Sequence, residues 1–275
     1  MNRQALAALA CPHCRAGLTP VSDRVIGCGS GHCFDLARSG YLALLGAAAR
    51  TDTADSAAMV AARLEFLAAG YYRPIAAALA DAAAAAPGAR PLLDLGAGIG
   101  YYTRAVLDAG VLTSAIALDA AKPAARRAAA DDRVLAVVAD AWSPLPVATA
   151  AVGAVINVFA PRVPAEVARV LTPGGVFVAV TPEADHLLEI RGPLAMLDVD
   201  PGKADRLADR VPLTEVDRIP LRYRIEPTRA DIAALVGMGP TARHRGPEHI
   251  RAAIDALPTE LPITVSVTLS VFRAG

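Results

Sequence analysis

The segment PLLDLGAGIGYYTRAV, followed by two apolar runs that each end in an aspartate, restricts the architectures open to this chain more than any other stretch. Leu92 to Leu95 reads as a short buried strand, and Gly96, Gly98 and Gly100 as a turn into a helix that begins near Tyr101. Glycine is needed there because the backbone must approach a ligand closely, while the helix N-terminus presents unpaired N–H groups. The next strand, AIALD, spans Ala115 to Asp119 and closes on a carboxylate 19 residues after Gly100. At the carboxyl end of a strand that acid can accept both hydroxyls of a ribose. A third strand, VLAVVAD, ends on Asp140, where it can meet the amino group of an adenine. A fourth, AVGAVINVFAP, runs to Asn157 and Pro161; a helix follows around Val163 to Val170, and PGGVFVAVTP gives a turn and a fifth strand. The chain finishes on TVSVTLSVF, whose period-2 alternation predicts an antiparallel edge hairpin. Repeated strand–helix units give a doubly wound, Rossmann-like α/β sheet.

The glycine pattern discriminates between cofactors. A dinucleotide fold takes G-x-G-x-x-G to cradle a pyrophosphate. Here the spacing is G-x-G-x-G, with Asp94 two residues before the first glycine. That pattern fits S-adenosyl-L-methionine, which has no phosphate and offers an amino acid and a sulfonium instead. The expected domain is therefore a class I S-adenosylmethionine-dependent methyltransferase, with Asp94, Gly96, Gly98, Gly100, Asp119 and Asp140 at the cofactor. The fourth strand ends in Asn157-Val158-Phe159-Ala160-Pro161. It lacks the Asn/Asp-Pro-Pro-aromatic segment typical of enzymes that methylate exocyclic amines, which argues against adenine-N6 and cytosine-N4 chemistry. No cysteine follows Cys33, so a cytosine-C5 mechanism through a covalent thiolate is excluded.

All four cysteines fall early, at Cys11, Cys14, Cys28 and Cys33. CPHC is a C-x2-C knuckle, followed thirteen residues later by CGSGHC. Tetrahedral zinc takes two such short pairs, whereas a disulfide framework would be unusual in an intracellular enzyme. Cys28 can pair with His32 or with Cys33, and spacing alone slightly favours four cysteines, but the two neighbours cannot both close a four-ligand site without strain. His13 reads as solvent-facing. A module this small builds little core, so zinc would supply its folding energy and the site is structural. Residues 1–46 are therefore expected as a zinc-binding module and residues 47–275 as the methyltransferase domain. The latter has a helical lead-in over 47–88, split into two helices by Gly70 and Pro74.

Composition sets limits on partners. The 27 basic residues cancel the 27 acidic ones, which rules out a generally sticky nucleic-acid binder, and aromatics at 4% argue against broad stacking platforms. The local exception is the first fifty residues, where Arg3, Arg15, Arg24, Arg38 and Arg50 face only Asp23 and Asp35. No apolar run reaches the roughly 18 residues of a membrane helix. Only ten residues precede Cys11 in MNRQALAALAC, so the expected setting is cytoplasmic, without a membrane.

Taken together, these segments resemble the RlmA/TlrB family of 23S rRNA (guanine-N1)-methyltransferases over nearly the whole chain. The resemblance rests on CPHC, CGSGHCFDLARSGYLALL, ADSAAMVAARLEFLAAGYYRPI, LDLGAGIGYYT, INVFAPR, LTPGGVFVAVTPEADHLLEI, MLDVDPGKADRL and MGPTARH, and is nearer the actinobacterial, tylosin-resistance type. It implies Cys11, Cys14, Cys28 and His32 as the zinc ligands, with Cys33 left out. It further implies that Tyr72, the Gly98–Ile99 turn and His186 line the cofactor pocket. The implied activity is methylation of N1 of a guanine in the helix 35 hairpin of 23S rRNA, with macrolide resistance as a consequence and a homodimer as the working form. Asp55 is the candidate base for the N1 proton, with a helix N-cap as its alternative role. Asn157, also expected at the cofactor, or the backbone from Phe159 to Pro161, is the candidate to hold the base edge, and Arg162 to meet a phosphate. The chain departs from the family where TDTADSAAM lacks the usual Pro-Gly and where Tyr71 replaces a common histidine. The competing expectation is a small-molecule methyltransferase of an antibiotic pathway.

Overall fold

The computed structural model describes residues 2–46, 54–88 and 90–275. Arg50 and the first residues of the lead-in lie outside the described residues. The chain starts with a short helix, α1 (Arg3–Ala7), capped by the Asn2 side chain, which accepts from Ala5 N. An antiparallel three-stranded ribbon follows, β1 (Leu18–Ser22), β2 (Val25–Cys28) and β3 (Cys33–Asp35), and then a two-residue strand, β4 (Leu42–Ala43). The lead-in forms α2 (Ala57–Ala68) and α3 (Arg73–Ala83). Gly70, at φ +85°, and Pro74 in the first turn of α3 separate them.

Strand–helix units then alternate: β5 (Leu92–Leu95), α4 (Tyr101–Asp108), β6 (Ala115–Asp119), α5 (Lys122–Ala128), β7 (Val134–Val138), β8 (Val152–Val158), α6 (Pro164–Val170) and β9 (Leu171–Pro182). The last third carries α7 (Leu188–Arg191), α8 (Lys203–Arg210), β10 (Thr214–Ile225), α9 (Arg229–Gly237), α10 (Thr241–His244), α11 (Pro247–Asp255) and β11 (Ile263–Arg273). The main sheet runs β10-β11-β9-β8-β5-β6-β7-β4, parallel except for β11, which is antiparallel to both neighbours. The chain builds outward from β5 to β7, then crosses back to β8 and β9. The strand order therefore reverses between β5 and β8. In open parallel sheets the ligand crevice lies at that switch point, beyond the carboxyl ends of the strands.

Both faces of such a sheet must be covered. One face packs under α2, α3, α5 and α9 through residues such as Phe66, Ile75, Leu79 and Leu235. The other is closed by α6 and α8 and also by the first residues of the chain. Leu6, Leu9 and Cys11 share a core with Leu93, Leu95, Ile116 and Leu118. Residues 2–46 thus contribute to the cover of the sheet, and β4 extends it by pairing with β7. Phe177 and Phe272, opposite one another on β9 and β11 with ring centroids 5.5 Å apart, stitch the same face.

The closing strand forms the expected antiparallel pair at the edge of the sheet, but as its inner member: β11 lies between β9 and β10, and Ile263 to Phe272 are all buried. Its alternate positions are Thr264, Ser266, Thr268 and Ser270, small enough to sit under helices, so alternation of apolar and hydroxyl residues does not mean a wet face here. The edge is β10, whose alternating burial along TEVDRIPLRYRI is the pattern of a strand with one exposed face. Strand four stops at Val158 rather than Pro161, because Phe159 turns the backbone to φ +53°.

Candidate metal centre and cofactor cavity

The ribbon gathers four ligand atoms. Cys11, Cys14, Cys28 and His32 present theirs within 4.8 Å of one another. Cys11 Sγ lies 3.6 Å and Cys28 Sγ 3.4 Å from Nδ1 of His32, and Cys14 Sγ lies 3.6 Å from Cys28 Sγ. Bond lengths of about 2.3 Å to sulfur and 2.1 Å to nitrogen set the edges of a tetrahedral zinc site at roughly 3.6–3.8 Å, so the donor set fits Zn2+. The local fold explains the choice of ligand. Cys28 ends β2 and His32 precedes β3, and the turn between them closes through Gly31 N to Cys28 O and Cys28 N to His32 O. Cys33 then falls in β3 opposite Gly27, with an exposed side chain outside the cluster. The exposed His13 ring stacks on Phe34 and lies tilted against His32. Arg15, at φ +64° and still exposed, donates to the carbonyls of Leu145 and Val147, so this guanidinium clamps the knuckle to the body.

At the switch point a cavity of about 370 Å³ opens over the carboxyl ends of β5, β6 and β8. Its floor is Gly96, Ala97 and Ile99 of the glycine turn, whose Gly96, Gly98 and Gly100 lie at φ +75°, +53° and +75°. A Cβ on Gly96 would sit 2.3 Å from that of Ala160, so the turn and the end of β8 touch with room for hydrogen only. Behind the turn, Asp94 is buried and accepts from Thr103 Oγ1 at 2.6 Å; burial pushes its carboxyl up to about 7. Asp119 accepts from Gly98 N through Oδ2 and from Ala121 N through Oδ1, each at 2.8 Å. Burial again raises its carboxyl, and each oxygen keeps a lone pair for a diol. Asp140 accepts from Trp142 N and Ser143 Oγ.

The far wall is aromatic. Tyr72, Phe159 and His186 form a triangle with ring centroids 5.7–6.4 Å apart. Ser266 N donates to Nδ1 of His186, and burial depresses the imidazole to about 4. The ring is therefore neutral with its proton on Nε2, which faces Tyr72 Oη at 3.5 Å. That leaves the Tyr72 hydroxyl proton to donate elsewhere.

Of the expected cofactor residues, Tyr72, Gly96, Ile99, Asp119, Asp140 and His186 line this cavity. Asp94, Gly98 and Gly100 stand behind it as the frame of the turn. Asn157 does not line it. Its amide donates to Leu95 O and Pro161 O, and its oxygen accepts from Arg162 at 2.5 Å, so the side chain pins the end of β8 to β5 and has no atom left for a base edge. Arg162 is turned inward to Asn157 and Ala160 O, away from any phosphate. Asp55 does line the cavity, but Ser56 is the N-cap of α2. The two Asp55 oxygens are taken up by Arg63, at 2.6 Å, and Arg243, at 3.4 Å, so neither stands free to take a proton in this structure. Arg63, Trp142, Tyr101 and Tyr102 also line the cavity and were not singled out. A lone tryptophan two residues after Asp140 in an aromatic-poor chain was the available signal.

Comparison with known proteins agrees with both halves. The model described as RlmA, N-terminal matches residues 9–51, and that described as Methyltransferase domain matches residues 93–179. A protein of Bacillus halodurans described as a candidate methyltransferase is 16% identical, with a TM-score of 0.53 over 72% of this chain and 97% of that one. The YcgJ protein of Bacillus subtilis, 16% identical, gives 0.52 over 74% and 98%; both establish the fold. A protein of Micromonospora griseorubida, named as a candidate 23S rRNA (guanine-N1)-methyltransferase, is 42% identical over 99% of both chains. The 23S rRNA (guanine(748)-N1)-methyltransferase of Streptomyces fradiae is 39% identical, again over 99% of both. With an RlmA-type ribbon fused to an S-adenosylmethionine-dependent methyltransferase sheet and such relatives matched from end to end, the chain belongs to the family of 23S rRNA (guanine-N1)-methyltransferases.

Proposed function

We propose that this protein methylates N1 of a guanine in the helix 35 hairpin of 23S rRNA. The observation that carries the proposal is the placement of its few aromatic side chains. Trp142 and Phe159 are the two exposed aromatics among the described residues, at 53% and 40%, and both line the cofactor cavity. Phe159 is held in the left-handed region, which costs about 1–2 kcal/mol for a residue with a Cβ. The ring is thereby kept at the cavity mouth, a flat apolar surface where an unstacked base gains about 1–3 kcal/mol by stacking.

S-adenosylmethionine supplies a methyl group already carried on a good leaving group, so the protein's contribution is chiefly proximity and orientation. Asp119 accepts from the ribose, Asp140 from the adenine edge, and the Tyr72 hydroxyl, oriented by neutral His186, donates into the cavity. Asn157 and Arg162 fix the Phe159–Pro161 turn against Gly96. The N1 proton leaves toward solvent at the cavity mouth, since the Asp55 oxygens are held by arginines.

In this scheme residues 1–46 grip the hairpin, using Arg3, Arg24 and Arg38, which are exposed. Residues 47–275 act on the base. The enzyme works in the cytoplasm as a homodimer, which light scattering of the purified chain tests. No helix among the described residues is long and apolar enough to cross a membrane. Methylation at this hairpin would confer macrolide resistance, read as a rise in tylosin tolerance on expression in a sensitive host. The decisive experiment is transfer of labelled methyl from S-adenosylmethionine to a helix 35 fragment, with nucleoside mass spectrometry of the product. Appearance of 1-methylguanosine supports the proposal. A cofactor-binding protein that leaves RNA unlabelled overturns it in favour of a small-molecule acceptor.

A further inference from the structure

A second concavity adjoins the cofactor cavity. It measures about 880 Å³, lies between α2, α9 and α11, and has a floor of small residues, among them Ala58, Ala62, Ala233 and Gly237. The floor is flat because α2 and α9 touch closely: a Cβ on Gly237 would lie 3.1 Å from that of Ala62. Four arginines stand around it, Arg229, Arg243, Arg245 and Arg251, against a single acid, Asp255. In a chain whose charges cancel, that is a concentrated positive patch.

These arginines are not equivalent. Arg229 pairs with Asp255 at 3.6 Å and Arg243 with Asp55 at 3.4 Å. Arg245 and Arg251 are exposed and have no carboxylate partner among the described residues. The groove is also continuous with the site. The connection from α9 into α10 lines the cavity with Met238, Gly239 and Pro240 and the groove with Ala242 and Arg243, and Ala54 borders both. The Asp55–Arg243 pair forms the partition between them.

We infer that this groove is a phosphodiester track, holding the backbone of the RNA strand that flanks the target nucleotide while its base is in the cavity. The inference rests on the RNA reading above. Guanidinium groups take phosphate oxygens in a bidentate fork, and two unpaired ones beside a small-residue floor leave space for a backbone to lie close. A base stacked on Phe159 has its own phosphate near the cavity mouth, so its neighbours must leave along the surface. The groove offers an exit with charge of the right sign.

The test uses the full chain and a double variant, Arg245→Gln with Arg251→Gln, whose side chains hold no part of the fold together. A second double variant, Arg90→Gln with Arg273→Gln, removes the same charge at the opposite end of the sheet, before β5 and at the end of β11. Binding of a fluorescent helix 35 fragment is measured from 0.05 to 0.3 M potassium chloride, and S-adenosylhomocysteine affinity by calorimetry. Each lost single-strand phosphate contact removes about 0.7 from the slope of log K against log salt, so the groove variant is expected to lose about 1.4. At 0.1 M salt that corresponds to RNA binding weaker by roughly ten- to thirtyfold. Cofactor affinity stays unchanged, and the Arg90/Arg273 variant keeps the parent slope. An unaltered slope in the groove variant, or equal losses in both variants, overturns the track while the parent still methylates the fragment. If the parent binds cofactor but neither binds nor methylates RNA, the RNA reading itself falls and the track with it.

Discussion

Replacing Gly96 by alanine tests whether the contact between the glycine turn and the end of β8 sets the cofactor cavity. The structure separates two costs. Gly96 sits at φ +75°, where a residue with a Cβ loses about 1–2 kcal/mol. Its new methyl would also lie 2.3 Å from Ala160 Cβ, against an ordinary carbon–carbon contact of about 3.5–4.0 Å. The turn and the Phe159–Pro161 segment would have to part by more than an ångström. Overpacking of this kind costs about 1–3 kcal/mol, so the expected total is about 2–5 kcal/mol. Ala160→Gly removes the obstacle, since the next atom, Ala160 Cα, is 3.7 Å away. The double variant should therefore recover about 1–3 kcal/mol and keep only the backbone cost. Gly110→Ala is the control, with φ +84° and nothing within 4 Å. Urea unfolding of these variants and calorimetric titration with S-adenosylhomocysteine give stability and affinity together. Affinity should fall roughly ten- to a hundredfold in Gly96→Ala, at about 1.4 kcal/mol per decade. The reasoning fails if Gly96→Ala is no worse than Gly110→Ala, or if Ala160→Gly brings no recovery.

Four further outcomes are expected. Chelation of the metal, or Cys28→Ser, should take zinc from one per chain to none and lower the thermal midpoint while leaving cofactor affinity within a few-fold; an unchanged zinc content would refute the site. His186 is held neutral with its imidazole near 4, so the unfolded chain binds its proton first and the contribution is lost as pH falls from about 6.5 to 4. The slope is about 1.4 kcal/mol per pH unit over that window, and His186→Asn should flatten it in urea titrations. Trp142, the one tryptophan, borders the cavity half-exposed, so saturating cofactor should change its emission, and a silent spectrum would count against the pocket. Phe159→Leu should raise KM for the RNA fragment by roughly 5- to 150-fold, at about 1–3 kcal/mol per stacked base, with cofactor affinity little altered; an unchanged KM would exclude stacking there.

Much of this was legible in the sequence because it depends on local spacing. Leu92–Leu95, Ala115–Asp119 and the break at Gly70 and Pro74 are set by apolar run length and by backbone φ preferences of residues close in the chain. The cysteine knuckles, too, announce a metal by spacing alone. Spacing leaned slightly the wrong way, toward Cys33 over His32, because both lie within reach of Cys28. The β3 pairing decides it by turning Cys33 outward. Tertiary packing likewise decided that Leu6 and Leu9 cover the sheet, that Arg15 reaches across to the Leu145 carbonyl, and that the hydroxyl-bearing positions of β11 are buried. Asn157 and Asp55 look equally available as letters, yet the first is consumed between β5 and β8 and the second by guanidiniums from α2 and α10. Which side chain remains with an unused polar atom or an open face depends on partners more than a hundred residues away, and no local pattern carries that information.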